Sequence, residues 1–150
     1  MIEDLPVPGR WIVRAFQNYW RTVRGMHLFV AACVIDEAGS ALMVQNESGG
    51  TWELPQGIVR KDENLEMALR RMLRATAGIE VNAEPELSFF YARSKSEQTG
   101  LYRVGDWKRS NAFAERETRF FPPAALPADI DPGTAERIRR CVRHRTTSEV

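Results

Sequence analysis

Residues 57–79 have the sequence GIVRKDENLEMALRRMLRATAGI, which carries the clearest helix signal in the chain. Positions 64–77 consist largely of residues with high helix propensity, and Gly78 can take the left-handed backbone conformation that often ends a helix. One face of this helix is nearly uncharged, which favours packing against a core. The residues of that face recur at steps of three and four: Leu65, Ala68, Leu69, Met72 and Ala75.

Segments with strand character lie on both sides of this helix. Residues 27–35 are almost continuously apolar, which is typical of a strand covered on both faces. The other segments of strand composition are 41–45, 52–54, 86–93, 101–107 and 118–121. Residues 55–62 show no regular period, and a last helix is predicted over 134–144. We therefore predict one α+β domain with helix–sheet–helix layering.

A further amphipathic helix is predicted near the start of the chain, over residues 10–24. Ile12, Phe16, Tyr19 and Val23 recur at steps of four, three and four, and arginines lie off that face. We expect the aromatic face to pack on the domain, with attachment to a membrane surface or to a partner as the alternative. Residues 1–25 then form a helical extension, and residues 145–150 a tail.

The balance of charges excludes several classes of partner. The chain has 150 residues, with 21 Lys and Arg against 20 Asp and Glu, so the net charge of +1 gives no overall attraction to DNA, RNA or acidic membranes. The longest apolar run, 28–35, is far shorter than the roughly 20 residues of a membrane span. Cys33 and Cys141 are expected to be buried thiols rather than a disulfide or a metal pair, which suits a reducing compartment. We expect a cytoplasmic protein.

The predicted last helix carries a cluster of arginines on its outer side. Ile138, Cys141 and Val142 are expected to face inward. No aromatic residues are interleaved with the arginines as they are in single-stranded nucleic-acid sites, so we expect a solvated face. The four residues are Arg137, Arg139, Arg140 and Arg143.

Residues 57–79 resemble the Nudix box, whose pattern is Gly, five residues, Glu, seven residues, Arg-Glu-apolar-x-Glu-Glu, one residue, Gly and an apolar residue. The positions that match at the required spacing are Gly57, Glu63, Arg71, Leu73, Gly78 and Ile79. The resemblance extends to the Trp-Glu-Leu-Pro run at 52–55 and to the segment 117–127. It implies the Nudix fold, a mixed β-sheet sandwiched between helices, for a domain over residues 26–144 with the helix over 10–24 as an addition.

The resemblance also implies hydrolysis of a nucleoside diphosphate linked to another group, with a divalent cation held by the three glutamates of the box. In this chain those three positions are Met72, Ala75 and Thr76. A thioether, a methyl group and a neutral hydroxyl are poor ligands for a hard cation such as Mg²⁺. We therefore expect no metal cofactor at the box.

The matched positions that remain are of a structural kind. Glu63 and Arg71 are eight residues apart in the sequence, about 12 Å along a straight helix, so they can pair only if the loop folds back over the helix. In the family such a pair holds the loop before the helix in place. The alternative for Glu63 is a favourable charge at the helix N-terminus, which contributes a few tenths of a kcal/mol.

Three functional hypotheses follow. The first is a catalytically impaired Nudix domain that binds a nucleotide-like small molecule or a partner, with Arg60 and Lys61 as candidate phosphate contacts and an aromatic side chain for stacking. The second is a hydrolase with a displaced Mg²⁺ or Mn²⁺ site built from other acids, of which Glu117 is the best catalytic candidate. The third is a structural module that forms a homodimer or docks a partner protein through the N-terminal helix. The aromatic candidates are Trp52, Phe89, Phe90, Tyr91, Tyr102 and Trp107, and the other acids are Glu53, Glu66 and Glu115.

Overall fold

The computed structural model describes residues 27–46, 49–111 and 113–143. The predicted N-terminal extension over 1–25 and the tail over 145–150 lie outside these residues. The elements in chain order are β1 (His27–Val34), β2 (Ala41–Gln45), β3 (Trp52–Glu53), β4 (Gln56–Ile58), α1 (Leu65–Ala77), β5 (Ile79–Val81), β6 (Glu86–Ser94), β7 (Glu97–Val104), β8 (Trp107–Arg109), β9 (Thr118–Phe121) and α2 (Pro132–Arg143). None of the helices in this part of the chain is long and apolar enough to cross a membrane.

A mixed four-stranded sheet forms the centre of the domain. Its strand order is β4-β1-β7-β6, in which β1 and β7 run parallel and the other neighbours antiparallel. Along β1, alternate side chains enter two different cores, one beneath α1 and one beneath α2. Both faces of β1 are therefore covered, which confirms the strand predicted from its continuous apolar run.

Two smaller sheets complete the fold. One is three-stranded, in the order β3-β2-β9, and the other pairs β5 with β8. The strand predicted over 101–107 is wrong in its bounds, because β7 begins at Glu97 and the chain leaves the sheet at Gly105 before β8. The register of pairing sets the two ends of β7, because this strand pairs with both β1 and β6 along its length.

The stretch 55–62 was expected to be irregular, and this prediction is wrong for β4. Gln56 pairs with Ala31, and Ile58 pairs with Phe29, in an antiparallel ladder. Three residues are too few to show an alternating pattern, so this strand forms because β1 offers it a partner edge.

Helix α1 has the ends that the sequence predicts. The side chain of Asn64 accepts a hydrogen bond from the Met67 N–H at 2.8 Å, and Gly78 takes the left-handed conformation with φ 66°. The uncharged face packs into the core through Leu65, Ala68, Leu69 and Met72, but Ala75 is exposed. The predicted apolar stripe therefore ends one turn earlier than expected.

Helix α2 covers the opposite face of the sheet. Ile138 and Cys141 are fully buried, and both cysteines are buried free thiols. The arginine face is not entirely solvated as expected, because the guanidinium of Arg137 lies 3.9 Å from the centre of the Tyr91 ring, and that of Arg140 lies 4.1 Å from the Phe89 ring. The aromatic partners come from β6 and not from the helix itself, so the local sequence could not reveal the stacking.

Candidate functional site

An ion pair between Glu63 and Arg71 fixes the loop that precedes α1. Arg71 donates Nη2–H to Glu63 Oε1 at 2.8 Å and donates from Nε to Oε2. The Glu63 side chain is only 10% exposed. The hydrogen bond from Arg71, assisted by the backbone N–H of Arg60, lowers the pKa of Glu63 from 4.5 to about 2. The pairing that the sequence predicted is therefore present, and it goes beyond a charge at a helix N-terminus.

The same arginine ties the loop to the sheet. Arg71 Nη2 also donates to the carbonyl of Ile58 at 2.9 Å, while Glu63 Oε1 accepts the Arg60 N–H at 3.0 Å. One guanidinium thus joins α1, the end of β4 and the loop. Arg60 and Lys61, the predicted phosphate contacts, are exposed in this loop.

The helix face that follows Arg71 packs closely against β4. Met72 is 3% exposed, and a Cβ atom placed on Gly57 would lie 2.9 Å from Met72 Cγ. Position 57 therefore requires glycine for a steric reason. Along the same face, Ala75 is exposed and Thr76 is half-buried.

The segment 113–117 crosses the C-terminal end of α1. The N–H of Glu115 donates to the Ala75 carbonyl at 3.0 Å, and the N–H of Arg116 donates to the Thr76 carbonyl at 3.3 Å. The Arg116 guanidinium then reaches Glu53 on β3, with Nη1 2.9 Å from Oε2. These bonds satisfy carbonyls that a helix end leaves without intrahelical partners, and they place a half-buried ion pair beside the box.

The residues beside the box do not fit a magnesium ion. Met72, Ala75 and Thr76 together offer one neutral oxygen, and the carboxylate of Glu53 already holds the Arg116 guanidinium. Magnesium requires near-octahedral oxygen coordination, usually with one or two carboxylates. Within residues 27–46, 49–111 and 113–143, no three His, Cys, Asp or Glu side chains converge as a metal site.

The side chain of Glu117 points away from α1, although the segment that carries it crosses the end of that helix. Glu117 directly precedes β9, in which Thr118 pairs with Val44, and Val44 belongs to the core beneath α1. Successive side chains of an extended segment point to opposite faces, so Glu117 is directed to the other side of the sheet. Its side chain is 62% exposed and lies 4.0 Å from the guanidinium of Arg119.

A cleft of about 360 Å³ opens at the edge strand β3, and its lining includes residues between 51 and 56, which precede the box in the chain. Trp52 and Tyr91 supply its aromatic surface, and Asp129 and Asp131 come from the segment before α2. Of the other aromatic candidates, Phe89 and Tyr102 are buried in the cores, and Trp107 stacks on Phe120 with ring centres 5.5 Å apart. The structure thus brings Trp52 and Tyr91 together, although they are far apart in the sequence.

Sequence reasoning missed the acids of this cleft and the partner of Glu53. Asp131 could have been noticed in the sequence, because Asp is a preferred helix-capping residue and this one stands just before the predicted last helix. In the structure its Oδ2 accepts the N–H of Thr134 at 3.1 Å, as a helix cap does. Arg116 and Glu53 are 63 residues apart and carry no local signal. A second cleft, of about 680 Å³, lies between the turn after β1 and the segment 81–86, and no residue of the box lines it.

Comparison with known proteins agrees with this architecture. A family model described as "NUDIX domain" matches residues 25–141. A MutT-like protein of Streptomyces ambofaciens is 37% identical over 62 residues, which is 41% of this chain and 40% of that relative. The chain therefore spans about two fifths of the length of this relative.

Solved structures show the same fold. A MutT Nudix hydrolase from Burkholderia pseudomallei superimposes with a TM-score of 0.64 at 19% identity, covering 80% of this chain and 98% of that one. An ADP compounds hydrolase gives a TM-score of 0.63 at 14% identity, covering 78% and 71% respectively. The chain belongs to the Nudix family, and its fold, a mixed sheet between helices, is the one that the box predicted.

Proposed function

We propose that this Nudix domain binds a nucleotide-like small molecule in the cleft at β3 and does not hydrolyse it through a metal held by the box. The proposal rests on the side chains that stand at the metal-ligand positions of the box. Met72, Ala75 and Thr76 replace the three glutamates, and the carboxylate of Glu53 is engaged by the Arg116 guanidinium at 2.9 Å. The fold and the loop-fixing pair are retained, while the ligands of the cation are not.

The cleft supports a ligand with an aromatic ring. The indole of Trp52 and the phenol ring of Tyr91 are half-buried, and a planar base gains from stacking on such surfaces. The carboxylates of Asp129 and Asp131 can accept hydrogen bonds from N–H groups at the edge of a base. We place this activity in the cytoplasm, where the free buried thiols Cys33 and Cys141 stay reduced.

Purified protein is expected to show no Mg²⁺- or Mn²⁺-dependent turnover of nucleoside triphosphates, dinucleotides or nucleotide sugars. Released phosphate or pyrophosphate gives the readout, and a related Nudix hydrolase with an intact box is the positive control. The same panel is then tested for thermal stabilisation. We expect at least one member to raise the melting temperature, because a ligand that binds only the folded state stabilises it.

Turnover that disappears with a chelator and with Glu117→Ala would contradict this proposal and establish the displaced metal site. If no member of the panel is turned over and none raises the melting temperature, the N-terminal extension becomes the candidate functional element. A concentration-dependent mass that is lost on deleting residues 1–24 would then support a homodimer formed through that segment.

A further inference from the structure

The two cysteines of the chain lie together in the core beneath α2. Cys33 belongs to β1 and Cys141 to α2, and neither side chain is exposed to solvent. Their thiols share a hydrogen bond. Both are free thiols and the chain contains no other cysteine, so any thiol oxidation in this protein involves one of these two.

Two polar residues lie beside this pair. Ser88 stands at a β-bulge of β6, and its Oγ is 3.5 Å from Cys141 Sγ. Arg103 on β7 pairs in register with Cys33. The Nε of Arg103 is buried and has no hydrogen-bond acceptor among the described residues. An unpaired buried N–H is rare in proteins, and it can donate to an oxygen atom that arrives at the thiols.

These groups stabilise a thiolate at Cys141. Its pKa is lowered by the hydrogen bond from Cys33, by one from Ser88 and by the charge of Arg103. These effects outweigh burial and the charge of Glu86. The hydrogen bond to Cys141 and burial raise the pKa of Cys33 well above its usual value. Because the thiolate is the nucleophilic form of cysteine, Cys141 is suited to attack and Cys33 to carry a proton.

The cleft of about 680 Å³ beside the turn after β1 leads from solvent toward this pair. Arg103 and Glu86 line it, with Nη1 3.9 Å from Oε1, and so does Val142, which follows Cys141 in α2. The thiols themselves are not part of the lining. A molecule that reaches them must therefore be small enough to pass between the lining side chains, which excludes a protein disulfide as the oxidant.

We propose that Cys141 and Cys33 form a thiol pair that a hydroperoxide oxidises to a disulfide between α2 and β1. The substrate class is a small peroxide, of which hydrogen peroxide is the simplest. The pair stays reduced until such a molecule reaches it. This inference goes beyond the proposed function, because it concerns a different cleft and no residue of the box.

The oxidation takes place in two steps. In the first, the Cys141 sulfur attacks one peroxide oxygen, so an S–O bond forms and the O–O bond breaks. The leaving oxygen takes up the former Cys141 proton and departs as water or an alcohol, and the unpaired N–H of Arg103 supplies a donor for it. In the second, the Cys33 sulfur attacks the sulfenic acid, so the S–S bond forms and the S–O bond breaks. The hydroxyl group leaves as water with the Cys33 proton, and the two thiols have supplied the two electrons that reduce the peroxide.

The experiment exposes the full chain, first reduced and then freed of reductant, to hydrogen peroxide. Intact mass and the number of free thiols in denaturant follow the reaction with time, and proteolytic fragments identify the link. The variants are Cys33→Ser, Cys141→Ser and Ser88→Ala. Thr99→Val is the matched control for Ser88→Ala, because it removes the hydroxyl of a fully buried side chain on the same sheet, at a position that pairs with Phe29.

We expect the wild-type protein to lose both thiols together, and with them the mass of two hydrogen atoms. Cys33→Ser should stop at a sulfenic acid on Cys141, which dimedone traps. Cys141→Ser should react at least about tenfold more slowly, because the remaining thiol is not held as a thiolate. Ser88→Ala should slow the reaction about fivefold, since it removes one hydrogen bond, and Thr99→Val should behave as wild type.

The disulfide is also expected to raise the urea midpoint of unfolding. The link closes a loop of about 100 residues, from position 33 to position 141, and so restricts the unfolded chain. Dithiothreitol should return the midpoint to its starting value.

Three results would overturn the inference. The first is a folded wild-type protein that keeps both thiols in an excess of peroxide that oxidises the urea-unfolded chain. The second is oxidation to sulfinic acids without a link, and the third is a disulfide between two copies of the chain. All three are read from the wild-type protein, so the test holds even if a cysteine variant fails to fold. None of them involves nucleotide binding or turnover, so the proposed function fails in different assays.

Discussion

The triple variant Met72→Glu, Ala75→Glu and Thr76→Glu is expected to gain magnesium affinity and to lose stability, with most of the loss at Met72. Met72 is 3% exposed and packs on Gly57. A carboxylate there without a partner costs about 3 kcal/mol, because it must be desolvated. Magnesium should return part of this stability, since the ion binds only the folded arrangement. Urea unfolding with and without Mg²⁺ measures the change.

The double variant Ala75→Glu and Thr76→Glu is the matched control. Position 75 is exposed and position 76 half-buried, so the control should cost less than about 1 kcal/mol. It should also bind Mg²⁺ more weakly than the triple variant, because it lacks the ligand nearest to Gly57. A triple variant that folds and shows no Mg²⁺ binding by calorimetry would mean that the three positions do not face one site.

Removing either partner of the Glu63–Arg71 pair is expected to cause the second large effect. Each alanine change should lower the free energy of unfolding by about 2 kcal/mol, and the double change should cost clearly less than the sum. The physical reason is that Arg71 bonds both Glu63 and the carbonyl of Ile58, so the loop loses its attachment to β4. Strict additivity in a double-mutant cycle would show that the two side chains are not energetically coupled.

The stabilisation from Glu63 should depend on pH in a defined direction. Its pKa falls from 4.5 in the unfolded chain to about 2 in the folded one, so the folded state holds the charged form more strongly. The contribution is therefore fully present above about pH 4.5 and is lost as the pH falls toward 2. The difference in stability between wild type and Glu63→Gln should shrink steadily from pH 5 to pH 3.

The Glu66–Arg70 pair on the same helix is the control for this cycle. Its atoms lie 3.3 Å apart, and the two side chains are 21% and 39% exposed. A pair at this spacing on a helix surface contributes only about 0.3–0.5 kcal/mol. A coupling energy for Glu63–Arg71 no larger than that of Glu66–Arg70 would contradict the role assigned to the Glu63–Arg71 pair.

Much of the fold could be predicted because it depends on neighbouring residues. Helix α1 begins and ends where Asn64 and Gly78 place it, and β1 follows from a run of apolar residues. The strand β4 could not be predicted, because three residues acquire their conformation from the edge of β1. The exposure of Ala75 could not be predicted from the sequence either, because the helical period identifies the apolar face but not the point at which the sheet stops covering it.

The sequence by itself determined the family, the loss of three carboxylates at positions 72, 75 and 76, and the residues able to fix the loop. These are matters of residue type and spacing along one helix. Only the tertiary structure decided that Arg116 holds Glu53 beside the box, that Trp52 and Tyr91 share a cleft, and that the side chain of Glu117 points away from α1. The reason is that such contacts join strands distant in the chain, and their formation depends on sheet register and twist, which no local pattern encodes.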